Sequence, residues 1–259
     1  MSSSKFAIVT GASSGIGLEL ARLAAADGYD LLVAADTPFV DAGAGLKDLG
    51  VEVQSIEADL ATEQGVAQLL NAAGSRPVDV LVANAGHGLG HAFLEQKPSD
   101  WMHVINTNVT GTLLLIQPIV QRMVESGEGK VLITGSIAGH MAGSFQAVYN
   151  GSKAFIDSFA AALGNEIKDS GVTVTCLKPG ATATEFFHRA DMDDTKVGTS
   201  KQDDPADVAK TGWEAMLKGE PSVIYGMKNK LQVAASELMT DATTAKMHRA
   251  QAEPGTGKE

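Results

Sequence analysis

Short runs of β-branched and aliphatic residues alternate along this chain with longer segments in which apolar positions return every three or four residues. The short runs predict strands over Phe6–Val9, Leu31–Ala35, Val51–Ile56, Val78–Val82, Lys130–Thr134, Val172–Leu177 and Ser222–Tyr225. The helical period predicts helices near 15–28, 40–49, 62–74, 99–126, 148–169 and 205–218. Strand and helix in regular succession predict an α/β fold, a doubly wound, seven-stranded parallel sheet with helices on both faces. Local punctuation agrees: Thr62 is placed to cap one helix, Ser99 after Pro98 another, and Pro205 opens a third behind Asp203 and Asp204. Two stretches break the rhythm, a long mixed segment at 181–204 and a polar, Gly/Pro-containing end at 253–259 expected to be frayed. With no internal repeat and no linker, residues 1–259 read as a single domain.

Composition narrows the function classes. The 31 acidic against 20 basic residues give a net charge of −11, which opposes any general attraction to nucleic acid or an anionic membrane. An anionic ligand therefore needs a local binding device. No run approaches the roughly 18 apolar residues of a membrane span, and the start has no pattern of an export signal. A cytoplasmic location is the expectation. The single cysteine, Cys176, sits in an alternating apolar run and reads as a buried thiol without a catalytic role.

The local device stands at the end of the first strand. Thr10-Gly11-Ala12-Ser13-Ser14-Gly15-Ile16-Gly17 leads directly into Leu18-Glu19-Leu20-Ala21-Arg22-Leu23. Strand, glycine turn and helix N-terminus in that order bring backbone N–H groups and a helix dipole to a pyrophosphate. The spacing is G-x-x-x-G-x-G, and a glycine turn alone is equally compatible with a structural role. Asp36 closes the second strand nineteen residues after Gly17, where a carboxylate accepts hydrogen bonds from the adenosine ribose hydroxyls or else starts a turn. It would repel a 2′-phosphate, and residues 37–46 hold no Lys or Arg, so NAD is favoured and NADP is the alternative cofactor.

A second constellation carries proton chemistry. Tyr149 and Lys153 lie four apart at the start of a predicted helix and share one face. A phenol of pKa ~10 serves near neutrality only if depressed by roughly three units, and a nearby ammonium acts in that direction. Ser136, at a strand end thirteen residues earlier, adds a hydroxyl, and two donors on one carbonyl oxygen stabilise its developing charge.

On these motifs the chain resembles the short-chain dehydrogenase/reductase family, through about residue 226. The T-G-x-x-x-G-x-G entry falls on Thr10 to Gly17, the adenine-side acid on Asp59, the N-A-G turn on Asn84-Ala85-Gly86, and the helix asparagine on Asn108. The serine falls on Ser136, Y-x-x-x-K on Tyr149 and Lys153, and the P-G turn with its threonine on Pro179-Gly180 and Thr184. Ala83 and Gly135 depart from the usual pattern without touching the proton-transfer atoms. The resemblance implies a Rossmann-like sheet and a catalytic set of Asn108, Ser136, Tyr149 and Lys153. It implies that Lys153 also binds the nicotinamide ribose, that Asn108 holds a relay water and that Thr184 contacts the carboxamide. The expected cofactor-binding residues are Gly11, Ser13, Ser14, Gly15, Ile16, Gly17, Asp36, Asp59, Leu60, Asn84, Ala85, Gly86, Tyr149, Lys153, Pro179, Gly180, Thr182 and Thr184. A homodimer or homotetramer paired through 99–126 and 148–169 is implied as well.

The expected reaction is reversible hydride transfer between NAD(H) and a secondary alcohol or ketone, a small-molecule substrate. An NADP-dependent carbonyl reductase is the near alternative. A non-catalytic dinucleotide sensor is the distant one, against which the complete set of four residues argues. Residues 141–148 and an apolar lid over 181–204, with Phe186, Phe187 and Met192, are expected to bound the substrate pocket. The N-x-S/T matches at Asn108 and Asn150 fall inside these elements and are not read as glycosylation sites. His87 and His91 lack the further ligands of a metal site, so none is expected.

Overall fold

The computed structural model describes residues 4–39, 45–46 and 49–257. The helix expected over 40–49 lies largely outside them. Among the described residues, seven parallel strands form one sheet in the order β3-β2-β1-β4-β5-β6-β7. They are β1 (Phe6–Thr10), β2 (Asp30–Ala35), β3 (Val53–Glu57), β4 (Val80–Ala83), β5 (Gly129–Thr134), β6 (Val172–Lys178) and β7 (Ser222–Ile224). The order reverses between β1 and β4, and this switch point opens a crevice at the carboxyl ends of the strands.

Alternation along each strand divides the core between two faces. Phe6 and Ile8 of β1, Leu81 of β4 and Val131 and Ile133 of β5 pack under α2 (Glu63–Ala73), α4 (Thr112–Ser126) and α5 (Ala147–Glu166). Ala7, Val9, Val80, Val82 and Leu132 face the other way, against α1 (Gly15–Ala26) and α8 (Pro205–Lys218). The sheet is thus covered on both sides, as near-continuous apolar strands require. Across the second layer Trp213 donates to Asp27 at 2.8 Å and sets its ring edge-on to Tyr29.

The predicted caps at Thr62 and before Pro205 are present: Thr62 accepts from Gly65 N–H at 3.0 Å, and Asp204 accepts from Ala206 N–H at 2.8 Å. Ser99 is not a cap. Lys97 holds that position and Pro98 is the first helical residue, because proline lacks only an N–H that is unpaired there anyway. The helix expected over 99–126 is α3 (Pro98–Ile105) and α4 joined by a π-helical turn, Asn106–Gly111.

Beyond the sheet, α6 (Phe186–Arg189) and α7 (Lys196–Thr199) interrupt the 181–204 segment, while α9 (Met227–Glu237) and α10 (Asp241–Ala252) follow β7. The last two were not foreseen. The end expected to fray is tied down as far as it is described: Gly255 N–H donates to the Asp194 carboxylate at 2.8 Å, and Gly257 N–H to the Asp194 carbonyl at 2.7 Å. Among the described residues no helix is long and apolar enough to cross a membrane.

Candidate active site

A cleft of about 570 Å³ runs along the carboxyl edge of the sheet, and each strand from β1 to β6 sends the residues after its end into it. At the β1 end, Gly11 has φ +65° and Gly15 φ +55°, conformations that cost side-chain-bearing residues more than glycine. Gly17 answers a different demand. A Cβ there would lie 2.1 Å from the Gly11 carbonyl oxygen and 2.5 Å from Asn84 Nδ2, so α1 packs on the turn at backbone distance. Ser14 precedes α1 without a side-chain cap, and the helix's first turn carries no acidic residue. The leading N–H groups of α1, which have no intrahelical acceptor, are left for a ligand. This unclaimed, positively polarised end beside a turn that admits no Cβ fits a dinucleotide pyrophosphate.

The neighbouring turns are cross-braced. Thr37 donates to Ser13 Oγ at 2.9 Å, and Asp59 accepts from Ala61 N–H at 2.9 Å with Leu60 beside it. Asn84 donates to the Thr10 carbonyl at 3.1 Å and accepts from Thr134 at 3.0 Å, fastening β1, β4 and β5 together. Ala85 N–H donates to Thr10 Oγ1 at 3.0 Å. Gly86 leaves room for its neighbours, since a Cβ there would stand 3.4 Å from both Asn108 Oδ1 and Lys153 Nζ. On the far wall the Pro179 carbonyl accepts from Ile137 N–H at 3.0 Å, Thr182 donates to the Gly180 carbonyl at 3.1 Å, and Thr184 accepts from Phe186 N–H at 3.2 Å. Every expected cofactor-binding residue, Ile16 and Asp36 included, therefore lines the one cleft.

Three of the four residues expected to carry the proton chemistry, Ser136, Tyr149 and Lys153, also line the cleft. Ser136 Oγ accepts from Ala138 N–H at 3.1 Å, and Lys153 Nζ stands 6.0 Å from the Tyr149 ring centroid while donating to the Thr134 carbonyl at 2.8 Å. Burial pushes the phenol up to about 12, with the Ser136 hydroxyl opposing the shift and Asp157 adding to it. Burial likewise pushes the Lys153 ammonium down to about 8 against the pull of Asp157. The depression expected of Tyr149 is thus absent from the protein alone. Desolvation outweighs the opposing Ser136 hydroxyl, and the phenol stays protonated.

Asn108 does not line the cleft. Buried in the π-helical turn, it accepts from His87 N–H at 2.7 Å and donates to the His87 carbonyl and to Ser152 Oγ, both at 2.9 Å. All of its amide hydrogens are committed, so its side chain clamps the 84–88 turn to α5. A π-turn re-aims one side chain without ending the helix, which places an asparagine where an unbroken helix would point elsewhere.

Sequence reading missed Asp157 and the place of His87 in the cleft, and it placed Gln146 only as part of the 141–148 wall. Asp157, one turn beyond Lys153, is buried with its carboxylate 3.5 Å from both Lys178 Nζ and His140 Nε2. It also accepts from Cys176 at 3.4 Å; the thiol is buried and pushed up to about 12 by desolvation, which suits a structural cysteine. His87 lines the cleft with its imidazole pushed down to about 4, first by burial, and is edge-on to His103. Gln146 is buried in the cleft wall three residues before Tyr149, and its Nε2 has no partner among the described residues. His91 pairs instead with Asp191 at 2.9 Å, so His87 and His91 serve different neighbours.

The 181–204 segment divides between cleft and core. Phe186 lines the cleft and packs on Tyr149 with ring centroids 5.1 Å apart, whereas Met192 is fully buried with Ala190 and Ala252. Gln232, Ser236, Met239 and His248 of the α9–α10 region complete the wall, which Met141 and Gln146 join from the expected 141–148 segment.

The description short chain dehydrogenase matches residues 5–195. The chain is 30% identical over 226 residues to a 3-oxoacyl-acyl-carrier-protein reductase of Synechocystis sp., covering 85% of this chain and 91% of that one. It is 29% identical over 202 residues to a diacetyl reductase forming (S)-acetoin from Staphylococcus epidermidis, covering 76% and 79%. A short-chain dehydrogenase from Sphingobium yanoikuyae, solved in complex with NADPH, superposes with TM-score 0.80 at 28% identity over 92% of this chain and 96% of that one. Matched family, parallel sheet and glycine-edged cleft agree: the chain belongs to the short-chain dehydrogenase family, oxidoreductases that act on CH–OH and C=O groups with NAD(P).

Proposed function

We propose that the chain catalyses reversible oxidoreduction of a secondary alcohol and its ketone, with Tyr149 as general acid and base and NAD(H) as the favoured cofactor. The observation that carries this reading is the meeting of Tyr149, Ser136 and Lys153 in the cleft that the glycine turn edges. Gly11 to Gly17 would hold the pyrophosphate, Asp36 the adenosine ribose, Asp59 and Leu60 the adenine side, and Lys153 and Thr184 the nicotinamide end. When bound, NAD(P) supplies the hydride donor or acceptor and, in its oxidised form, a positive charge.

In reduction Tyr149 Oη gives its proton to the substrate oxygen while Ser136 Oγ donates a hydrogen bond to the same atom. Lys153 then faces a phenolate, whose charge it stabilises across a site from which water is largely excluded. In oxidation the phenolate takes the proton back. Asn108 acts through the His87 backbone and Ser152, positioning the turn above Lys153.

Residues 181–204 serve as a lid, with Phe186 against Tyr149 keeping the reacting face apolar. The unpartnered Gln146 Nε2 favours substrates with a second oxygen near the carbonyl. Two relatives are named for such compounds, one as a 3-oxoacyl-acyl-carrier-protein reductase and one as a diacetyl reductase. A panel of 3-oxo esters, diketones and simple ketones with NADH, followed by the matching alcohols with NAD, tests the proposal. Oxidation of NADH with at least one dicarbonyl is expected, and no turnover with any compound and either cofactor would overturn it.

Pairing of copies through α3, α4 and α5 has support in their exposed apolar side chains, Met102, Ile105, Leu114, Val124 and Phe155. A homodimer or homotetramer is the expected result in size-exclusion chromatography with light scattering. Replacing Phe155 with Glu is expected to shift the population toward monomer.

A further inference from the structure

Asp36 is not a free carboxylate. The lid helix α6 ends in Arg189, whose guanidinium Nη2 donates to Asp36 Oδ2 across the adenosine end of the cleft. The two residues are 153 positions apart and each side chain is about one-third exposed, so the pair is a bridge over the groove and open to a ligand. A lone carboxylate at the ribose site rejects a 2′-phosphate by charge repulsion. Here the repelling charge has a cation bound to it, presented by a rigid fork suited to phosphate oxygens.

We infer that Arg189 is a specificity-determining residue that lets this groove accept NADPH as well as NADH, by turning from Asp36 to the 2′-phosphate. The inference rests on the dinucleotide reading of the cleft proposed above. With NADH the ribose hydroxyls compete with Arg189 for the Asp36 carboxylate, and with NADPH the phosphate competes with Asp36 for the guanidinium. The same arginine thereby joins the lid to the cofactor in the second case and is released from Asp36 in the first. The usual place for such a cation, directly after β2, is without one over residues 37–46.

Fluorescence titration of the full chain with NADH and NADPH, as wild type, Arg189→Gln and Arg189→Lys, is the test. Wild type is expected to bind both, with Kd values within about thirtyfold of each other. Arg189→Gln is expected to weaken NADPH at least tenfold, the scale of one charge-assisted phosphate contact, and to leave NADH unchanged or slightly tighter. Arg189→Lys should recover part of the NADPH affinity, since charge is kept and the fork is lost. Equal effects of Arg189→Gln on both cofactors, no effect on either, or a wild type that excludes NADPH would overturn the inference while leaving the dinucleotide reading intact. Failure of wild type to bind either cofactor would overturn both.

Discussion

Replacing Tyr149 with Phe is expected to lower turnover by about 10³–10⁴-fold while leaving the Kd for NADH within about threefold of wild type. The ring is buried, so phenylalanine keeps its volume and its packing on Phe186, and only the oxygen is lost. That oxygen is the proposed proton donor, in the cleft that Ser136 also lines. Steady-state kinetics and cofactor titration on the same preparation separate the two quantities, and a variant retaining a tenth of wild-type turnover would sink the acid–base role. The pH dependence carries an independent check. Because burial holds the phenol protonated up to about 12 in the protein alone, the acid form needed for reduction is present throughout the neutral range. The reductive rate is therefore expected to stay level through neutrality and fall only at alkaline pH. The oxidative rate needs the phenolate and is expected to climb with pH. Both slopes should vanish in Tyr149→Phe.

Gly17→Ala is the second large effect expected, through packing. Its methyl group would enter the space between the Gly11 carbonyl oxygen, 2.1 Å away, and Asn84 Nδ2, 2.5 Å away. Neither can yield cheaply, since one is backbone and the other ties β4 to β1 through Thr10. The turn must shift, and with it the N–H groups at the head of α1. Cofactor Kd is expected to rise at least about a hundredfold, and stability to fall by roughly 1–3 kcal/mol, as overpacking typically costs. Gly151→Ala is the matched control, because a Cβ there meets nothing within 4 Å and alanine favours a helix. Urea unfolding with NADH titration measures both effects, and a Gly17→Ala protein indistinguishable from Gly151→Ala would refute the close approach.

Much of this architecture is legible along the chain because its causes are local. Alternation and apolar runs place all seven strands to within about two residues, and α8 is found over the predicted 205–218. Where the reading failed, the local signal was misleading or missing. Ser99 looks like a cap, yet Pro98 takes the first helical position and moves the boundary forward. The helices α9 and α10 escaped because they have hardly any apolar stripe: the buried positions of α9 are Asn229, Val233 and Ser236, and those of α10 are Thr244 and Ala252. Such helices are held by the cleft and by polar contacts, including Asn229 with the Asp203 carboxylate at 2.9 Å and His248 with the Ser144 carbonyl at 2.8 Å.

The site divides along the same line. By itself the sequence determined the α/β fold, the glycine entry, and the spacing of Ser136, Tyr149 and Lys153, since each depends on neighbours within one strand, turn or helix. Only the tertiary structure decided the electrostatics. The phenol is raised by burial where an adjacent ammonium suggested lowering, the buried Asp157 one turn after Lys153 pairs with the partly buried Lys178 and His140, and Asn108 is spent on the His87 backbone. Asp36 shows the difference most plainly: its place at the end of β2 is written locally, but its partner Arg189 arrives from the lid. Charge and desolvation act through space, so they depend on which distant segments the fold brings together.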